Sequence, residues 1–179
     1  MEQATFANGC FWCTESIFKR VKGVSSVESG FSGGKIENPT YQQVATGTTG
    51  HAESVHITFD PKVISYDKIL DIFFATHDPT TLNQQGYDIG DEYRSAIFYH
   101  NDEQKKIAEN KIAELDKSGK YPNPIVTQVA PYTGFYSAGP EHQNFYESGK
   151  RPDYCQLIID PKIQKLLKTF TKEVKEEYK

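Results

Sequence analysis

The run Gly9-Cys10-Phe11-Trp12-Cys13 marks the place where one hydrophobic period gives way to another. Before it, residues 3–7 read as a short strand, with Phe6 between Thr5 and Ala7. After it, Phe11, Ile17, Phe18 and Val21 recur at helical spacing, which predicts a helix over residues 10–22. Gly9 is the turn between them, and Val24 to Phe31 reads as a second strand, closed by Gly33-Gly34. A helix wedged so tightly between two strands can bury its apolar stripe only against their sheet. Both cysteines of the run are thereby placed at the start of that helix.

The rest of the chain continues the alternation. Ser54 to Phe59 puts Val55, Ile57 and Phe59 on one face and Ser54, His56 and Thr58 on the other, until Asp60-Pro61 stops it. Ser65 is a cap for a helix carrying Ile69, Leu70, Ile72, Phe73 and Phe74. Residues 77–93 are too long for a mere connection, which points to a functional loop. Ser95 to Tyr99 is a strand, and Asn101 with Gln104 forms a capping box for a helix ending near Gly119. Ile125 to Val129 is a further strand, and short helices are expected after Pro39-Thr40 and over Glu141 to Glu147. Asp160-Pro161 opens a terminal helix with Ile163, Leu166, Leu167, Phe170 and Val174 as its buried stripe. This order predicts an α+β fold: a ferredoxin-like two-layer sandwich with a split βαβ core and added helices and loops. The 179 residues suit one domain, with residues 149–179 as its C-terminal segment.

Composition removes several classes of function. A net charge of −4 argues against a general nucleic-acid or anionic-membrane surface. No apolar run approaches the ~20 residues of a membrane span. The N-terminal residues lack a basic segment and an apolar signal core, so a cytoplasmic protein is expected. Three cysteines are an odd number, which argues against a secreted disulfide framework. Nothing argues against a monomer.

Two cysteines three apart at a helix start have a definite chemistry. Unpaired amide donors and the positive end of the helix dipole favour thiolate at Cys10. Cys13, one turn on, comes within disulfide reach. Two other readings compete: a pair of buried thiols packed as small hydrophobes, or a zinc site completed by Cys155 and a histidine. Zinc needs about four ligands, and no second Cys-x-x-Cys or His pair supplies them.

Six segments occur in order. They are Gly9-Cys10-Phe11-Trp12; Gly33-Gly34; Asn38-Pro39-Thr40-Tyr41; Gly50-His51-Ala52-Glu53; His77-Asp78-Pro79-Thr80; and Tyr93-Arg94-Ser95-Ala96-Ile97. Together they make the chain, from residue 6 to about 155, resemble the peptide methionine sulfoxide reductase A family. The resemblance implies reduction of the S epimer of methionine sulfoxide, free or in proteins, without organic cofactor or metal and with thioredoxin as reductant. It implies Cys10 as the attacking thiolate and the hydroxyls of Tyr41 and Tyr93 as holders of the oxygen. It further implies Phe11 and Trp12 as the pocket for the methyl group, and Asp88 as a supporting group. The proton donor expected is Glu53. Strand alternation extended backwards puts it on the core face with Val55, where burial raises a carboxyl pKa; the other reading starts the strand later and leaves Glu53 solvated.

The sequence departs from the family pattern in two places. Tyr87 stands where asparagine is usual. Cys13 stands where glycine is usual, while Cys155 matches a recycling cysteine, so two thiols compete to resolve a Cys10 sulfenic acid. Cys13 is placed by the helix, and Cys155 follows Gly149-Lys150-Arg151-Pro152, a segment expected to be mobile. His142, in Glu-His-Gln-Asn-Phe-Tyr, is expected to be structural. A thioredoxin-type thiol oxidoreductase would share the Cys-x-x-Cys helix start but would leave Glu53 and the tyrosines without a task. A non-catalytic module for methionine-like side chains would leave the thiols without one.

Overall fold

The computed structural model describes all 179 residues. Strand β1 (Glu2–Asn8) ends at Gly9, and helix α1 (Phe11–Phe18) follows. Gly9 has φ +105°, and a Cβ there would meet the Gln85 side chain at 2.7 Å, so the turn is restricted to glycine. α1 ends short of the expected Lys22. Val21 leaves the helix to form an antiparallel bridge with Val174, and Gly23 turns the chain into β2 (Val24–Ser32). Helix α2 (Tyr41–Ala45) starts at a capping box between Thr40 and Gln43. β3 (Ala52–Phe59) and α3 (Tyr66–Ala75), capped by Ser65, follow.

The stretch expected as plain loop over 77–93 carries a small hairpin, β4 (Gln84–Gln85) and β5 (Asp88–Ile89), and a 3-10 turn at Asp91–Tyr93. β6 (Ser95–Tyr99) and α4 (Asp102–Ser118) lie where the pattern puts them. β7 (Gln128–Pro131) starts later than Ile125. The Ile125 N–H donates to the Asp116 carboxylate, and the Val126 N–H to the Pro79 carbonyl, so neither can join a ladder. β8 (Tyr136–Ser137) is the last strand. The helix expected over Glu141–Glu147 is split into a 3-10 turn (Pro140–His142) and α5 (Phe145–Ser148), because Asn144 lies in the left-handed region at φ +53°. The terminal helix begins before Asp160. α6 (Pro152–Tyr154) runs through a π-helical turn (Cys155–Ile159) into α7 (Asp160–Thr169). Of its expected stripe, Ile163 and Leu166 are buried and Leu167 partly so, but α7 ends at Thr169, so Phe170 and the buried Val174 lie beyond the helix.

The six-stranded sheet has the order β7-β6-β1-β3-β2-β8, giving a mixed α+β fold. Neighbours are antiparallel except β6 and β7, which α4 connects in parallel. α1 links β1 to β2, with β3 inserted between them, and α3 links β3 to β6. Phe6, Phe31, Val55, Ile57 and Phe59 share one buried cluster with Ile17 and Phe18 of α1 and Leu70 and Phe73 of α3. Each such side chain contributes about 1.5–3 kcal/mol relative to exposure. The opposite face carries Ala7, Ala52, Ala96 and Phe98 beneath Ala130 and Tyr132. No helix is long and apolar enough to cross a membrane.

Candidate active site

Cys10 occupies the N-cap of α1. Its carbonyl accepts from the N–H groups of Cys13 (3.1 Å) and Thr14 (3.4 Å). The Thr14 hydroxyl donates to Asn8 at the end of β1 and thereby pins the first turn. Glu53 on β3 pairs with Phe31 on β2 and lies in the core, 2 % exposed. β3 therefore begins early enough to bury it. Its Oε1 accepts from the Phe11 N–H at 3.1 Å, one of the unpaired donors of the α1 start. Burial pushes the Glu53 carboxyl up to about 8 against that bond, and the carboxylates of Asp88 and Glu92 push the same way. At neutral pH the carboxyl is mostly protonated, with Oε1 engaged and Oε2 able to carry the proton.

Tyr41, at the start of α2, lies 6.2 Å from the Phe11 ring. Tyr93 ends the 3-10 turn before β6. Burial raises both phenol pKa values, and the charges of Glu53 and Cys10 raise them further, so both hydroxyls are protonated donors at neutral pH. Trp12 stacks on Phe145 at 3.7 Å with 4° between the planes, and the edge of Tyr154 meets it at 5.8 Å.

A cleft of about 550 Å³ opens over the thiols, lined among others by Cys10, Cys13, Tyr87, Asp88, Tyr154 and Lys162. Glu53, Phe11, Trp12, Tyr41 and Tyr93 do not line it. The Tyr154 hydroxyl donates to Asp88 Oδ2 at 3.0 Å and sits 3.8 Å from Cys13 Sγ. Asp88 thus holds a tyrosine from the C-terminal segment at the mouth of the site.

The two neighbouring thiols titrate in opposite directions. Burial, the hydrogen bond with Cys13 and the charge of Glu53 push Cys10 well up. The Cys10 thiol donates to Cys13 and, with Lys162 and Tyr154, outweighs burial to bring Cys13 down to about 7. Burial at Cys10 therefore works against the pull of the helix start toward thiolate. All three cysteines are free thiols. Cys155 does not reach the cleft. It is buried on the π-helical turn with its pKa raised by burial, Asp160 and Cys13, rather than carried on a free segment. No group of three His, Cys, Asp or Glu side chains is arranged to hold a metal.

Sequence reasoning missed Tyr154, Lys162 and Phe145, and left His142 aside although its ring stacks on Tyr41 at 4.4 Å. The cue for Tyr154 was its place beside Cys155. Nothing in the sequence marked Lys162.

A pair of coupled thiols, a buried neutral carboxyl and protonated tyrosines on an α+β sheet define a thiol-based oxidoreductase. The chain matches the profile of the family described as peptide methionine sulfoxide reductase over residues 2–175. It is 55% identical over 175 residues to peptide methionine sulfoxide reductase MsrA of Saccharolobus solfataricus, covering 98% of each chain. It is 53% identical over 177 residues to the MsrA of Leptospira borgpetersenii, covering 98% of this chain and 99% of the relative. Among solved structures it resembles Mxr1 from Saccharomyces cerevisiae in reduced form, with a TM-score of 0.73 and 34% identity over 82% of this chain and 84% of that one. It also resembles Mxr1 in complex with Trx2, with a TM-score of 0.53 and 29% identity over 80% of this chain and 84% of that one. The chain belongs to the peptide methionine sulfoxide reductase family. It is an enzyme that reduces methionine sulfoxide.

Proposed function

We propose that this enzyme reduces the S epimer of methionine sulfoxide, free or in proteins, by attack of Cys10 on the sulfoxide sulfur. The observation that carries this reading is the buried Glu53 carboxyl hydrogen-bonded to the Phe11 N–H beside Cys10. Sulfoxide reduction needs a soft nucleophile at sulfur and a proton for the departing oxygen. Glu53, with its pKa near 8, brings that proton, and the hydroxyls of Tyr41 and Tyr93 hold the oxygen. Phe11 and Trp12 receive the methyl group. The Cys13 thiolate is at hand to take the Cys10 proton as attack begins. In sum, thiol and sulfoxide become sulfenic acid and thioether: Cys10 is oxidised by two electrons, the substrate sulfur is reduced by two, and the oxygen passes from one to the other. Cys13 then condenses with the sulfenic acid, releasing water and forming the Cys10–Cys13 disulfide.

Cys155 follows by thiol exchange with that disulfide, and a thioredoxin dithiol returns the enzyme to its reduced form. The yeast relative crystallised with Trx2 supports this choice of reductant. Asp88 serves by holding Tyr154 over Cys13. The four central strands, β6-β1-β3-β2, with α1 and α3 as connections, support the reading as a split βαβ, ferredoxin-like core forming a single catalytic domain. We read the enzyme as a cytoplasmic monomer that needs no cofactor. The test is dithiothreitol-driven reduction of racemic methionine sulfoxide. Consumption of half the substrate, leaving the R epimer, is expected; consumption of both epimers, or of R alone, contradicts the reading.

A further inference from the structure

His142 has no part in the chemistry above, yet it sits among three aromatic side chains of the site. Its Nδ1 accepts from the Trp12 indole N–H at 3.3 Å, and its ring lies 4.4 Å from Tyr41 and 5.4 Å from Phe11. The chain around it is built to hold it there. Gly139 and Pro140 open the 3-10 turn that ends in His142. The next residue, Gln143, clips onto β2 as a strand would: its Oε1 accepts from the Ser29 N–H and its Nε2 donates to the Ser29 carbonyl, both at 2.9 Å. Asn144, left-handed at φ +53° and bonded to Lys19 Nζ at 2.6 Å, turns the chain so that Phe145 stacks on Trp12. His142 grips the indole at its edge and Phe145 at its face.

Only an imidazole with unprotonated Nδ1 can accept from an indole N–H, so the proton of the neutral ring is on Nε2. Nε2 faces the Glu141 carboxylate at 3.8 Å. The neighbours from α1 and α2 are Trp12, Phe11 and Tyr41, all uncharged at neutral pH. Burial holds the ring below its ordinary 6.5, with Glu141 pulling it up and Lys150 pushing it down.

We propose that His142 is a positioning residue whose Nδ1 fixes the Trp12 indole, and with it the wall of the pocket that receives the substrate's methyl group. When the ring gains a second proton, Nδ1–H meets the indole N–H donor to donor, and the hold is released. The kinetic part of this proposal rests on the reading of Trp12 given above; the conformational part does not.

Trp12 is the only tryptophan in the chain, so its emission reports this contact without interference. In the unaltered protein, emission is expected to change as pH falls through a midpoint below 6.5, and His142→Phe is expected to abolish that step. Emission that stays flat between about pH 8 and 4 overturns the proposal without any variant. His142→Asn keeps an acceptor near the place of Nδ1; His142→Phe keeps a stacking ring and removes it. His142→Phe should raise KM for methionine sulfoxide about tenfold with kcat within about threefold, and His142→Asn should restore KM to within about threefold. Equal losses in the two variants, or an unchanged KM in His142→Phe, overturn it. If the unaltered enzyme reduces no sulfoxide, the proposed function fails, and the emission titration decides this proposal alone.

Discussion

The half of the site on β1, α1 and β3 is held by sheet register, whereas the half on residues 139–162 is joined to it by side-chain contacts. Glu53 sits opposite Phe31 in a continuous ladder, and its distance from the α1 start follows from that pairing. The Tyr154 hydroxyl meets both Asp88 and Cys13, and His142 meets Trp12 through Nδ1. The first half would need the sheet to slip before it could move. The second depends on individual side chains, each of which can be replaced without disturbing the sheet. We assign the attack on the substrate to the rigid half and the tuning and recycling of the thiols to the contact-held half.

The largest effect expected is in the rigid half. Glu53→Gln keeps a donor but removes the transferable proton, and the reduction step should slow by about 10²–10⁴-fold. In the unaltered enzyme that step should fall as pH rises through about 8, where the neutral acid is lost. The sign for stability is the same. A carboxyl raised from 4.5 to about 8 binds its proton more tightly in the folded state, so stability declines as pH rises across that window. Glu53→Gln should therefore melt higher than the parent at pH 8, with the difference closing below 4.5. An unaltered single-turnover rate in this variant would remove Glu53 from the mechanism.

The next effect separates Cys13 from Cys155. Both are buried, but Cys13 is drawn down to about 7 beside Cys10 while Cys155 is pushed up and lies outside the cleft. Under turnover with a dithiol protein reductant, Cys13→Ser should lose about tenfold or more in rate, and Cys155→Ser less. The reverse order would make Cys155 the direct partner of Cys10.

A smaller effect is expected at the contact-held edge. Tyr154→Phe removes the hydroxyl from both Asp88 and Cys13, so the Cys13 pKa should rise above about 7, as followed by alkylation rate against pH. The loss in turnover should be about threefold to tenfold, in keeping with the net worth of one ordinary hydrogen bond. No change in the alkylation profile would detach the C-terminal segment from thiol tuning.

The rigid half was legible in the sequence because its geometry follows from local periods. The alternation through Val55, Ile57 and Phe59 carries back to Glu53, and Gly9 marks the turn before Cys10. The contact-held half was not, for physical reasons. Asn144 adopts a left-handed conformation that no period announces, and it splits the expected helix so that His142 and Phe145 both face Trp12. Tyr154 meets Asp88 across 66 positions of chain. The burial that opposes a Cys10 thiolate was not legible either, because helix position is visible in a sequence while the depth of burial beside Cys13 and Glu53 is not.

The assignment of Cys10 as the attacking residue is tested most directly by a single turnover without reductant. S-methionine sulfoxide in excess is mixed with enzyme, and methionine is counted per active site. The unaltered enzyme and a Cys13→Ser/Cys155→Ser double variant should each release methionine, the double variant stopping at one equivalent. Cys10→Ser should release none. Methionine from the Cys10→Ser variant would contradict the assignment outright.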